Sequence, residues 1–88
     1  MSSANTTTNH DEIRKWAEAR DGHPAMIKTK GREGGVLRID FGEPEEEFEE
    51  VSWDEFFEVF DENKLAFLYQ DKTADGGKSR FNKFVERH

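Results

Sequence analysis

The sequence predicts a single small α+β domain. Three observations lead there. Two segments carry apolar residues at helical spacing, around Ile13–Trp16–Ala17 and around Trp53–Phe56–Phe57–Phe60. Between and after them lie short alternating or wholly apolar runs, Val36 to Phe41 and Leu65 to Tyr69. Glycine-rich stretches separate the runs and provide turns. The expected order is α-β-β-α-β-α. It gives a three-stranded, mainly antiparallel sheet with the helices packed on one face. The favoured sheet order is 2-1-3, with the last strand beside the first.

The elements follow in order. Residues 1–8 are Ser, Thr, Asn and Ala after Met1 and read as a mobile arm, which leaves residues 9–88 as the domain. The first helix should run from His10 to Arg20. Asn9 can cap it, and Glu12 stands three residues on, as in a capping box. Ile13, Trp16, Ala17 and Arg20 share one face. Gly22 fits a left-handed exit, and Pro24 stops the helix. Strands are expected at Ala25 to Lys30 and Val36 to Phe41, joined by a hairpin loop at Gly31 to Gly35. Gly42 to Glu50 reads as an exposed connection. Within it, either Phe48 dips into the core or Glu47 to Val51 forms a short extra edge strand.

The best local signal follows. Ser52 and Glu55 form Ser-x-x-Glu, and Val51 and Phe56 stand at the positions of a hydrophobic staple. A helix from Trp53 to Glu62 should result, with Asn63 in the left-handed exit. Leu65 to Tyr69 is apolar on both faces and should be a central strand. Asp71 to Lys78 is a turn-rich loop. Ser79 can cap a short last helix with Phe81, Phe84 and Val85 turned inward.

Composition bounds the function. Only 33% of the residues are hydrophobic and 38% are charged, near the edge of disorder. Eight Phe, two Trp and one Tyr move the chain back, because large rings bury much area per residue. There is no cysteine, which excludes disulfides, thiolate metal sites and cysteine nucleophiles. No apolar run approaches the ~20 residues of a membrane helix. The N-terminal residues lack a signal-peptide core, so a cytoplasmic location is expected. A formal charge of −7 opposes loose binding to nucleic acid or anionic lipid.

Residues 10–25 (HDEIRKWAEARDGHPA), 36–42 (VLRIDFG) and 52–85 (SWDEFFEVFDENKLAFLYQDKTADGGKSRFNKFV) together resemble a family of short, stand-alone bacterial proteins of unknown function. Some of its members carry the label of glucan branching enzyme. That label fits a chain of 88 residues poorly, because such a chain cannot build a glycosidase barrel. The resemblance implies a bacterial single-domain protein and assigns no catalytic residue.

Each candidate site meets a plainer reading. Gly77-Lys78-Ser79 matches the end of a phosphate-binding loop, but the motif's first glycine would fall at Lys72. Asp71, Thr73, Asp75, Gly76 and Ser79 follow a calcium loop until its twelfth position, which is Asn82 instead of glutamate. His10, His23 and His88 lack a second histidine at helical spacing, so solvated side chains outweigh a zinc site. Carboxylates are too abundant for any pair to mark a glycosidase. No cofactor, no metal and no catalysis are expected.

Two charged surfaces remain. Lys28, Lys30 and Arg32, and separately Lys72, Lys78, Arg80, Lys83 and Arg87, form modest basic sets. Phe81 and Phe84 interleave with the second. Against these stands the acidic run Glu43, Glu45, Glu46, Glu47, Glu49 and Glu50, which Asp54 and Glu58 extend along the helix. A solvated loop is the plain reading of that run. Docking on a basic protein surface, or imitation of a phosphate backbone, is the specific one. The resulting expectation is a monomeric, non-catalytic module that binds another macromolecule, a protein with a basic surface, through the acidic residues. The alternatives are a nucleic-acid-associated protein acting through its basic C-terminal end, and a small enzyme or ligand carrier with an unrecognised pocket.

Overall fold

Asn9 caps the first helix: its side-chain oxygen accepts the Glu12 N–H at 2.9 Å. This detail comes from a computed structural model that describes residues 4–27, 36–42 and 48–87. The elements are β1 (Asn5–Thr7), α1 (His10–Glu18), β2 (His23–Ile27), β3 (Val36–Asp40), β4 (Phe48–Glu50), α2 (Trp53–Glu62), β5 (Leu65–Tyr69) and β6 (Asn82–Glu86). The α+β class holds. The expected hairpin loop, Gly31 to Gly35, lies outside the described residues, as does the arm's beginning.

α1 stops at Glu18, two residues before the expected end. Asp21 takes the left-handed conformation, with φ of 58°. Gly22 is needed for a different reason. Its N–H donates to the Ala17 carbonyl at 2.8 Å, and a Cβ there would lie 2.7 Å from the Ile39 methyl Cγ2. The glycine therefore allows α1 to close onto β3. Arg20 crosses back over α1. Its guanidinium stacks 4.3 Å from the Trp16 ring and donates to the carbonyls of Trp16, Asp71 and Ser79. One side chain thus fastens the end of α1 to the loop before β6.

The single expected sheet is two sheets. β5 lies between β1 and β6, and β2 lies between β3 and β4, all antiparallel. The order 2-1-3 is not realised, because β5 is flanked on both sides and never meets β2. Asn5–Thr7, expected within a mobile arm, pairs with Phe67–Tyr69. Residues 82–86, expected as a helix, pair with all of β5. Phe81, Phe84 and Val85 do have helical spacing, but an apolar strand with a bare edge would leave backbone donors and acceptors unsatisfied. Ser79 is buried and serves this turn into the strand. Its hydroxyl donates to the Gln70 side chain at 3.2 Å and accepts the Phe81 N–H at 3.1 Å. Phe81 is left exposed, while Phe84 packs among Phe56, Phe60 and Phe67. The extra edge strand is present as β4, paired with Ala25–Ile27 of β2.

α2 has the expected bounds. The Ser52 hydroxyl accepts the Glu55 N–H at 3.1 Å. Its exit differs: Asn63 keeps φ at −91°, and Lys64 takes the left-handed turn at φ 51°. The Asn63 amide instead donates to the Val59 carbonyl at 2.9 Å. α2 packs against β2 and β3 of one sheet and β5 of the other. The helices therefore do not share one face of one sheet. Ile13 and Trp16 of α1, Met26 and Ile39 of the second sheet, Phe56 and Phe60 of α2, and Phe67 of β5 form one buried cluster.

Candidate functional site

The acidic residues fall in three groups. Glu43, Glu45, Glu46 and Glu47 lie outside the described residues. Glu49 and Glu50 are exposed on β4, and the His23 ring approaches Glu50 at 3.7 Å. Asp54 and Glu58 are exposed on α2 at i,i+4 spacing.

α2 continues this pattern further than the sequence reading used. Asp54, Glu55, Glu58, Asp61 and Glu62 are all exposed, and the helix carries no Lys or Arg. The carboxylates of its first turn suit the helix dipole. Those of its last turn oppose it. Asp61 is compensated by the His10 ring at 3.0 Å and the Arg87 guanidinium at 3.2 Å. Partial burial pushes the Asp61 carboxyl up, but these two hydrogen bonds and charges outweigh it and hold the group below the usual carboxylate range. Among the described residues, no cation stands within ion-pair distance of Asp54, Glu55, Glu58 or Glu62.

A second feature lies where the two sheets part. An open cleft of about 490 Å³ runs between β3 and β6. Leu37, Arg38 and Ile39 all border it. Consecutive strand residues point to opposite faces, so a space touching all three lies beside the edge of β3. Among the described residues β3 pairs only with β2, and β6 only with β5. Arg80, Asn82 and Phe84 form the opposite wall. Phe41 and Phe48 complete it, each with a guanidinium over its ring: Arg80 over Phe41 at 5.4 Å and Arg38 over Phe48 at 4.8 Å. Sequence reasoning missed this site. Arg38 lay within an expected strand, and Arg80 belonged to a modest basic set. Only the pairing of the two sheets brings them together.

The other candidates resolve into local structure. Gly77-Lys78-Ser79 leads into a strand, not a helix, and the Lys78 ammonium donates to the Ala19 carbonyl at the end of α1, 2.9 Å away. In the calcium-like loop the Thr73 hydroxyl donates to Asp75 at 2.5 Å and accepts the Gly77 N–H at 3.1 Å. Among the described residues no three acidic or histidine side chains converge on a metal-sized site. His10 stacks on Phe57, with ring centroids 4.1 Å apart. His88 lies outside the described residues. So do Lys28, Lys30 and Arg32. Of the C-terminal basic set, Arg87 is bound to the Leu65 carbonyl and Asp61.

Tyr69 titrates far from its ordinary range, because its hydroxyl donates to the Glu12 carboxylate. That hydrogen bond, aided by burial, pushes the phenol up to about 12. Glu12 also accepts the Thr7 hydroxyl at 2.8 Å, and the two hydrogen bonds lower its carboxyl. Glu12 therefore ties β1, α1 and β5 together instead of closing the capping box.

Among the described residues no helix is long and apolar enough to cross a membrane. No family model matches the chain, and neither a curated protein nor a solved structure matches it.

Proposed function

We propose that the protein is a non-catalytic binding module whose acidic surface docks on a basic surface of another protein. The observation that carries this is the outer face of α2. Like charges at i,i+3 and i,i+4 cost a helix about 0.2–0.5 kcal/mol per pair. Asp54, Glu58 and Glu62 stand at such spacing, as do Glu55 and Glu58, and none has a cation partner among the described residues. No packing requirement explains them, since all are exposed. A basic partner would relieve this repulsion and be drawn in by the same field. Glu49 and Glu50 continue the sign on β4, and Glu43, Glu45, Glu46 and Glu47 precede them in sequence.

The nucleic-acid reading has less support. Lys78 and Arg87 already donate to backbone carbonyls of the chain, and the acidic helix repels phosphate. The test is a salt series on a partner recovered from native host extract. Glu49→Gln, Glu50→Gln, Asp54→Asn and Glu58→Gln combined should leave the fold intact and weaken association at low salt by at least about tenfold, a difference of ~1.4 kcal/mol. Equal binding by wild type and variant across the series would reduce the acidic face to a solubility device.

A further inference from the structure

We propose that the cleft between β3 and β6, along edges that are unpaired among the described residues, binds an extended peptide segment bearing acidic side chains. The occupant follows from three properties of the cleft. Its walls are sheet edges, and an edge strand offers unpaired N–H and C=O groups to another extended chain. Its floor is apolar, from Leu37, Ile39 and Phe84, so alternate side chains of an added strand can be buried. Arg80 stands over its rim, held by the Phe41 ring, and a guanidinium matches a carboxylate in two hydrogen bonds. Among the described residues Arg80 has no carboxylate within ion-pair distance. Asn82 adds an amide beside it, able to donate or accept. Its volume of about 490 Å³ lies within the ~300–1,000 Å³ typical of ligand sites.

The same geometry disfavours single-stranded nucleic acid. Base recognition needs bare aromatic faces, and here the guanidiniums of Arg80 and Arg38 cover a face of Phe41 and of Phe48. The site is independent of the α2 surface, since it has the opposite charge and uses none of its residues.

The probe is a blocked hexapeptide of alternating Glu and Val, titrated into ¹⁵N-labelled full-length protein. Saturable amide shifts should centre on Arg38, Ile39, Arg80 and Asn82, and edge amides of β3 or β6 should exchange more slowly with solvent. Arg80→Gln should weaken binding about tenfold. Arg80→Lys, which keeps the charge and loses the forked hydrogen bonds, should weaken it less than Arg80→Gln does, which covers the case in which Arg80→Gln disturbs the fold. A Gln-Val hexapeptide should bind much more weakly than the Glu-Val one, and combined Asp54→Asn and Glu58→Gln should change nothing. The proposal is overturned by unshifted β3 and β6 amides at millimolar peptide, or by equal binding of the Gln-Val peptide. It is equally overturned if glutarate binds as tightly as the hexapeptide, which would mark a small-anion site, or if oligothymidylate displaces the peptide.

Discussion

Tyr69 is the only tyrosine in the chain, which makes its bond to Glu12 directly measurable. The phenol ordinarily loses its proton near 10, and in the folded protein this moves to about 12. Because the folded value is raised, its contribution to stability is complete below pH 10 and is lost as pH climbs from there toward 12. Ultraviolet titration of native protein should show the phenol still largely protonated at pH 11, where the urea-unfolded chain has ionised. Glu12→Gln should bring the native midpoint down toward 10. A native midpoint near 10 in the wild type would show that the Glu12 bond does not hold in solution. Neither partner was legible as such in the sequence. Glu12 sits at the capping-box position, yet its carboxylate goes to Thr7 and Tyr69, which only the pairing of β1 with β5 brings close. Gly22 was legible as a required glycine, but its requirement is the Ile39 methyl, a contact across elements. The left-handed exit conformations fell one residue from the expected places, at Asp21 and Lys64. The geometry of a turn depends on what packs beneath it, and residue preference alone does not place it.

At the scale of elements, legibility follows how local the cause is. Every signal for α2 lies within it or in the two residues before it: the Ser52 cap, the staple positions and the apolar stripe. Its bounds were therefore readable. β1 is three polar residues, Asn5 to Thr7, and exists because β5 offers an edge. β6 carries a helix-like spacing that loses to the other edge of the same strand. The acidic segment illustrates the same limit, since its helical part is describable from sequence while the opposed cleft depends on two strands far apart in the chain. α2 also permits a test of the charge argument. Glu58 stands four residues from both Asp54 and Glu62. Glu58→Lys converts these two pairs, and the i,i+3 pairs with Glu55 and Asp61, from like-charge to attractive, each worth ~0.2–0.5 kcal/mol relative to neutral, so stability should rise by at least about 1 kcal/mol. Chemical denaturation at low salt should read this gain, and added salt should shrink it. An unchanged or lowered midpoint would mean that the carboxylates of α2 do not repel one another appreciably, and the case for a partner-relieved surface would weaken with it.

For the whole molecule, the decisive feature is that two small sheets share one core. A three-stranded sheet needs an apolar face covered by something else to be stable, and each of these has the same cover, the aromatic side of α2. Phe56 is fully buried there and meets Trp53 and Phe57 on its own helix and Phe84 on β6. The chain carries few other apolar residues to spread the load, since only 33% are hydrophobic. The sheets should consequently not unfold separately, although few residues connect them directly. Phe56→Ala should cost ~3–5 kcal/mol, a large part of the stability of a domain this small. The loss should appear equally in both sheets. Native-state hydrogen exchange is the suitable measurement, because it reads β2 and β5 amides in one experiment. Protection at Met26 and at Phe67 should fall by the same factor in the variant. If β5 amides lost protection while β2 amides kept theirs, the two sheets would be separate folding units. The cleft between β3 and β6 would then be a moving boundary, and Arg80 could not be held at the fixed distance from the β3 edge that recognition of an acidic strand requires.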